Sequence, residues 1–241
     1  VVEKGTSEKN IRRARSIWNN VMSLSNLYPS EKFVRFMEDK CNYYSFLEKR
    51  GFNILPTRCW KIGKMRSFDK VVRFVRKFKK VYIKPIPSGE AYGNISFTQN
   101  TPRREIVDYV KDLQKKGMDK IVVQKFSAFA TPSNPELRTF WVKGEYVYGV
   151  RTYYTGYYKN EIKRLPKELK RVGESIHKEL RKKFKKPILS MRIDYGKQGS
   201  SYFVNELEII YGTFLDYVGN KDIVYEKILG DGLMSIISGK K

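Results

Sequence analysis

The chain has 241 residues, of which 41% are hydrophobic and 31% are charged. This balance supports a buried core and excludes a collagen, a low-complexity chain and a wholly disordered one. The net charge of +24 indicates polyanionic partners such as acidic peptides, phosphorylated ligands or nucleic acid. Because no apolar run reaches the roughly 18–20 residues of a membrane span, we expect a soluble, cytoplasmic protein.

The first half of the chain is predicted to alternate helices with short strands. Residues 8–21 and 31–49 have helical patterns, and strand signals follow at 81–84 and 121–126. Between these segments, apolar residues spaced three and four apart predict one face of an amphipathic helix. They are Phe68, Val71, Val72, Val75 and Phe78.

The second half is predicted to contain two hairpins separated by a helix. Residues 138–142 and 145–152 flank Lys143-Gly144, a typical hairpin turn. Pro166 fits the first turn of a helix that runs to about Phe184, with Pro187 after it. Residues 190–195 and 202–210 pair around a turn at 196–201. The predicted class is α+β with largely antiparallel sheets.

Two segments carry +16 of the net charge. Lys61–Lys80 has nine Lys and Arg residues against one acid, and Lys159–Lys186 has twelve against four. Each is either the solvated face of an amphipathic helix or a surface that binds an anionic partner. An aromatic run at 153–158 either stacks on bases, packs on a peptide or packs in the core of the domain.

Three carboxylates are predicted to share one face of the last hairpin. Residues two apart in a strand point to the same face, so Arg192 lies beside Asp194, and Glu206 lies beside Glu208. Like charges this close need a cation, and carboxylate oxygens suit Mg²⁺. The alternative is a surface hairpin with cross-strand ion pairs.

Five segments, in this order, resemble the ATP-grasp superfamily, which includes D-alanine–D-alanine ligase, ribosomal-protein glutamate ligases and tubulin tyrosine ligase-like enzymes. They are MEDKCNYYSFLEKRGFNILPT, VYIKPIPSGEAYGNISF, VVQKF, ELRTFWVKGEYVYGVRT and MRIDYGKQGSSYFVNELEI. The resemblance implies two α+β lobes clasping a nucleotide cleft. It divides the chain into an N-terminal helical segment (1–60), a small lobe (61–125) and a catalytic lobe that also binds metal (126–241).

The resemblance also implies roles for single residues, with ATP and Mg²⁺ as cofactors. The residues implied to hold the ATP phosphates are Lys40, Lys84, Arg138 and the loop glycines Gly89 and Gly93. The residues implied to contact adenine are Gln124, Lys125 and Phe126. Arg192 stabilises the oxyanion of the tetrahedral intermediate. Asp194, Glu206 and Glu208 are the metal ligands.

The chain departs from the family pattern at three points. Glu208 stands where the last metal ligand is usually Asn, which adds a negative charge. Asn94 stands where the phosphate loop usually has glycine, although Asn tolerates left-handed conformations. The segment before Lys40 is also shorter than the N-terminal domain of many members.

The primary hypothesis is therefore an ATP-dependent carboxylate–amine ligase that acts through an acylphosphate, with an acidic peptide or protein as acceptor. One alternative is a catalytically silent relative that binds nucleic acid or serves a structural role. Another is a small-molecule kinase of the same fold. His177, the only histidine, is expected to have a structural role in its helix, and Cys41 and Cys59 are expected to be unpaired core thiols in a reducing compartment.

Overall fold

The computed structural model describes residues 30–63, 65–86, 93–153, 162, 164–185 and 188–209. These residues form two compact units, one of residues 30–31, 38–45 and 55–127 and the other of residues 32–37, 46–54 and 128–209. Each unit contains a four-stranded antiparallel sheet, which confirms the predicted α+β class. The helix predicted at 8–21 lies outside the described residues.

The elements follow one another in a regular order. They are α1 (Glu31–Glu38), α2 (Lys40–Lys49), β1 (Thr57–Lys61), α3 (Asp69–Lys77), β2 (Lys80–Ile86), β3 (Ile95–Thr98), α4 (Arg103–Lys115), β4 (Lys120–Lys125), β5 (Glu136–Val142), β6 (Glu145–Thr152), α5 (Lys167–Phe184), β7 (Ser190–Gln198) and β8 (Ser201–Glu208). Among these described helices, none is both long enough and apolar enough to cross a membrane.

The sheet of the first unit has the order β1-β4-β2-β3, and α3 and α4 share a core with one of its faces. The predicted apolar face of α3 is confirmed, because Val71, Val72 and Val75 are all buried in that core. Val81 and Ile83 of β2 point into the same core. Since side chains alternate along a strand, Tyr82 and Lys84 lie on the opposite face of the sheet.

The sheet of the second unit has the order β6-β5-β7-β8 and consists of two hairpins. Lys143 and Gly144 form the predicted two-residue turn between β5 and β6, and both have positive φ angles, 52° and 89°. Helix α5 packs on the face that carries Trp141. A Cβ atom on Gly173 of α5 would lie 2.1 Å from Trp141 Cζ2, so only glycine permits this close approach.

Two predicted boundaries are wrong. The single helix expected over residues 31–49 is interrupted at Asp39, which has extended backbone and accepts the backbone N–H of Cys41 on its Oδ1 atom at 3.0 Å. That bond gives α2 a start of its own. In the last hairpin β7 continues to Gln198 and β8 spans Ser201–Glu208, so the turn contains only Gly199 and Ser200.

The prediction of two unpaired thiols is also wrong. Cys41, in the first turn of α2, forms a disulfide with Cys59 of β1, and their Cα atoms lie 5.7 Å apart. The first turn of α2 lies against the sheet, with Cys41 Sγ 3.9 Å from the carbonyl oxygen of Ile121 on the neighbouring β4. The two cysteines are 18 residues apart in sequence, and tertiary packing brings them together.

Candidate functional site

The first unit presents a chain of hydrogen bonds on the sheet face opposite α3 and α4. Lys84 Nζ donates to Gln124 Oε1 at 3.1 Å, and Gln124 Nε2 donates to Thr57 Oγ1 at 3.1 Å. Gln124 is buried and Lys84 is half-buried. The two bonds fix the orientation of the amide, and they place an ammonium group beside it on a partly desolvated surface.

An aromatic pair lies beside this chain of hydrogen bonds. Tyr82 pairs with Gln124 across β2 and β4, and its ring stacks on Phe126 with a centroid separation of 5.6 Å and an interplanar angle of 23°. Lys80 Nζ lies 4.1 Å from the centroid of the Phe126 ring. Flat π-surfaces next to a fixed amide can bind a planar, hydrogen-bonding ligand.

The predicted adenine segment already has some of its groups engaged. The backbone N–H of Lys125 donates to the carbonyl of Pro56 at 2.8 Å, and that of Phe126 donates to the carbonyl of Lys80 at 3.0 Å. Neither N–H is therefore available to a ligand. The buried Gln124 amide is also engaged at both ends, so the half-buried Tyr82–Phe126 rings are the part of this segment that a ligand could still contact.

The other predicted phosphate residues of the first unit fall in different places. Lys40 is the half-exposed first residue of α2. Gly89 lies outside the described residues. Gly93 has a positive φ of 66°, and a Cβ atom there would meet Pro85 Cγ at 2.9 Å, so its backbone requires glycine. The adjacent Asn94 has a buried Oδ1 atom with no hydrogen-bond partner among the described residues.

The second unit has a polar cluster on one face of its sheet, and β7 contributes its centre. Arg192 Nε donates to Asp194 Oδ1 at 2.7 Å, and Arg192 Nη2 donates to Asp194 Oδ2 at 2.8 Å. Both side chains are buried, with 8% and 1% exposed. The predicted pairing across the hairpin is confirmed, and its register places Arg192 opposite Glu208 and Asp194 opposite Glu206. Arg192 also forms an ion pair with Glu208.

The environment of Arg192 and Asp194 shifts the pKa of both side chains. Burial raises the pKa of Asp194 to about 7, with two neighbouring carboxylates adding to that effect and two arginines opposing it. Burial disfavours the charge on Arg192, but Asp194 and Glu208 outweigh it and raise the pKa of the guanidinium. The cluster would therefore be stabilised by additional positive charge.

The cluster extends to Glu136, a buried carboxylate on β5 that the sequence analysis missed. Its Oε2 atom accepts from Arg138 Nε at 2.9 Å and from Thr152 Oγ1 at 3.2 Å, and its Oε1 atom accepts from Asn205 Nδ2 at 2.8 Å. Glu136 lies two residues before Arg138, so strand alternation could have placed both on this face.

Arg138 joins Glu136 to the centre of the cluster. Arg138 Nε lies 3.9 Å from Asp194 Oδ2. Its own burial disfavours the charge, yet the nearby Asp194 and Glu136 raise the pKa of Arg138. The predicted basic residue is thus held in place by two carboxylates.

The carboxylates of the polar cluster meet some of the requirements of a Mg²⁺ site. Within the described part of the chain, no three His, Cys, Asp or Glu side chains converge closely enough to hold a metal ion. Arg192 instead bridges Asp194 and Glu208. The donor chemistry still suits Mg²⁺, because that ion needs only one or two protein carboxylates when nucleotide phosphates and water supply its other ligands.

Comparison with known proteins identifies the fold of the chain. The sequence matches no model of a known protein family and no curated protein. The structure is similar to D-cycloserine synthetase DcsG, with a TM-score of 0.75 and 15% identity over 92% of this chain and 80% of DcsG. It is also similar to D-alanine–D-alanine ligase from Bacillus anthracis complexed with ATP, with a TM-score of 0.60 and 15% identity over 83% and 65%.

A third similar structure is that of the ATP-grasp ligase PsnB complexed with minimal precursor, Mg and ADP. Its TM-score is 0.58, with 13% identity over 86% of this chain and 62% of PsnB. The chain therefore has the ATP-grasp fold, as its sequence motifs predict. The similarity covers less than two thirds of the chain in this PsnB structure and in the Bacillus anthracis ligase complexed with ATP.

Proposed function

We propose that the chain is an ATP-dependent ligase that joins a carboxylate to an amine through an acylphosphate. The observation that carries this proposal is the buried group of Arg192 and Asp194 facing Glu208 and Glu206 across the last hairpin. Burying several charges on one sheet face is costly, and apolar side chains of similar volume would often serve stability as well. Together with the ATP-grasp fold, this arrangement favours a catalytic role.

In the proposed reaction the first unit binds the nucleotide. Lys84 supplies a positive charge for the phosphates, and it is held by Gln124 on a partly desolvated face where such a charge acts more strongly than in water. The Tyr82–Phe126 pair offers an aromatic surface on which the base would stack. These residues would align the γ-phosphate without covalent chemistry of their own.

The second unit would supply the charges for both chemical steps. In the first step a substrate carboxylate oxygen attacks the γ-phosphorus and ADP leaves. In the second step the amine nitrogen attacks the acyl carbon, phosphate leaves, and the nitrogen loses a proton. Arg192 stabilises the oxyanion that forms between attack and departure, a contribution of about 2.7–4 kcal/mol for one donor. Asp194, Glu206 and Glu208 would hold Mg²⁺, which when bound neutralises phosphate charge.

We propose an acidic peptide as the acceptor. The net charge of +24 and the exposed basic residues Lys70, Arg73 and Arg76 of α3 favour a negatively charged substrate. PsnB, which has the same fold, was solved with a precursor as well as with Mg and ADP. A peptide that carries both glutamate side chains and an amine would offer each reacting group.

The direct experiment measures ADP release in a matrix of candidate substrates. Release that requires both a carboxylate and an amine supports the ligase, and a Glu-rich peptide should be the best of the acceptors tested. Arg192→Gln should slow amide formation about a hundredfold or more, whereas Arg171→Gln, at an exposed position of α5, should leave it unchanged. Release with an alcohol alone would instead show a kinase. Absence of turnover together with tight, salt-sensitive binding of nucleic acid would show a silent binding protein.

A further inference from the structure

A second group of charges lies in the same unit as the polar cluster, on the other face of the sheet. Helix α5 packs on the face that carries Trp141 and Tyr195, and the Tyr195 hydroxyl donates to the carbonyl of Leu169 in α5 at 3.3 Å. Arg192 and Asp194 alternate with Tyr195 along β7 and so point away from α5. A ligand bound beside α5 would therefore be separated by the sheet from Arg192 and Asp194.

A cavity of about 560 Å³ lies between the C-terminal half of α5 and the β5–β6 turn. This volume is within the usual range for small-molecule sites. Five of the eight lining residues are cations and one is an acid, which leaves a local charge of +4. The lining residues are Lys143, Gly144, Glu174, His177, Lys178, Arg181, Lys182 and Lys185.

The position of α5 explains only some of these cations. Basic residues near the end of a helix interact favourably with its dipole, which accounts for Arg181 and Lys182 in the last turn. Lys178 lies further from that end, and Lys143 comes from the turn between two strands. Like charges gathered from two elements around one hollow repel each other, and an anionic ligand relieves that repulsion.

His177 is the second observation at this cavity. It is only 2% exposed, and neither of its ring nitrogens has a hydrogen-bond partner among the described residues. A buried polar group without a partner requires an explanation, because leaving it unpaired costs free energy. A ligand that carries oxygen atoms could accept a hydrogen bond from this imidazole.

We propose that this cavity, which we call the α5 pocket, binds a compact ligand with several phosphate groups. Most small-molecule sites are lined largely by apolar residues, but here six of the eight lining residues are charged, which suits a ligand that carries several negative charges. A peptide would need apolar or backbone contacts along a groove, and a nucleic acid would need an extended basic track with aromatic stacking surfaces. The positive charge is concentrated on one helix half and one turn, which favours a small polyphosphate over both.

The only histidine of the chain provides a local reporter for this proposal. In the isotope-labelled protein, the NMR signal of the single imidazole Cε1–Hε1 group should shift as inorganic tripolyphosphate is added, and the shift should saturate. Lys178→Ala/Arg181→Gln should weaken this binding about tenfold or more, since each lost charge-assisted hydrogen bond is substantial. Lys167→Ala/Arg171→Gln removes the same charge from exposed positions of the same helix outside the pocket, and binding should be unchanged.

Failure of this proposal is distinguishable from failure of the proposed ligase. Lys84→Ala, which addresses the proposed nucleotide site, should leave the His177 response to tripolyphosphate intact. A His177 signal that does not move, or equal weakening by the two double variants, would overturn the α5 pocket as a phosphate site. Hexaglutamate or a single-stranded oligonucleotide that binds at His177 more tightly than tripolyphosphate would also overturn it.

Discussion

Arg192 and Asp194 lie two residues apart on β7 and share two hydrogen bonds, from Nε to Oδ1 at 2.7 Å and from Nη2 to Oδ2 at 2.8 Å. The resemblance to the ATP-grasp superfamily implies separate roles for them, with Arg192 stabilising the oxyanion and Asp194 binding the metal. In the folded protein each is the principal partner of the other. A change at either position is therefore expected to alter stability as well as any chemistry.

Arg192→Leu should lower the free energy of unfolding by about 3–5 kcal/mol, because it leaves buried Asp194 without its counterion. The double variant Arg192→Leu/Asp194→Leu should recover most of this loss, since apolar residues tolerate the same buried position. Urea denaturation of the wild type, Arg192→Leu, Asp194→Leu and the double variant gives the coupling energy between the two side chains. Additive effects of the two substitutions would contradict the ion pair.

Gly173→Ala should destabilise the second unit by about 1–3 kcal/mol. Alanine normally stabilises a helix relative to glycine, but here the added Cβ would collide with the ring of Trp141. Ser175→Ala, at an exposed position of the same helix, is the control and should be neutral or slightly stabilising. Thermal unfolding checks both variants, and a gain in stability for Gly173→Ala would show that α5 does not pack on Trp141 as described.

His177 should make stability depend on pH. Burial, with the nearby Arg181, lowers the pKa of His177 from 6.5 to about 4. Between those values the unfolded chain binds a proton that the folded chain does not, so the contribution of His177 falls as pH falls from 6.5 towards 4. The difference amounts to about 3 kcal/mol when fully developed.

The measurement is urea denaturation from pH 4 to pH 8 for the wild type and for His177→Leu. Comparing the two cancels the contributions of other groups, including Asp194. The wild type should lose stability relative to the variant as pH is lowered through this window. Parallel curves would mean that His177 is hydrated or protonated in the folded state.

Strand and helix periodicity predicted much of the second unit correctly. The two-residue spacing of Arg192 and Asp194, and of Glu206 and Glu208, predicted that they share one face of the hairpin, as the structure shows. Periodicity did not give β1 and β3, which are only five and four residues long. The Cys41–Cys59 disulfide was missed because it depends on how α2 packs on the sheet.

The hydrogen-bond and ion-pair partners within the candidate site could not be predicted from the sequence either. Alternation places Arg192 among carboxylates, but it does not say that the guanidinium bridges Asp194 and Glu208. The links from Glu136 to Thr152 and Asn205 join three different strands. Such contacts depend on register across the whole sheet and on side-chain conformations, which no local pattern specifies.

Lys84→Ala should weaken ATP binding by about tenfold or more, because a charge-assisted hydrogen bond to phosphate is typically worth about 1.5–3 kcal/mol. Isothermal titration calorimetry with a non-hydrolysable ATP analogue measures the change. Lys70→Ala removes the same charge from an exposed position of α3 and should leave the affinity unchanged. Equal affinities for Lys84→Ala and the wild type would remove Lys84 from the nucleotide site.

The formation of an acylphosphate is tested most directly by isotope transfer. A Glu-rich peptide labelled with ¹⁸O in its side-chain carboxylates is incubated with the protein, ATP, Mg²⁺ and an amine, and the released phosphate is analysed by mass spectrometry. The proposed ligase transfers one carboxylate oxygen to each phosphate, so the phosphate should carry one ¹⁸O atom per amide formed. Unlabelled phosphate released at the rate of amide formation, or ATP consumption without an amide product, would contradict the proposed reaction.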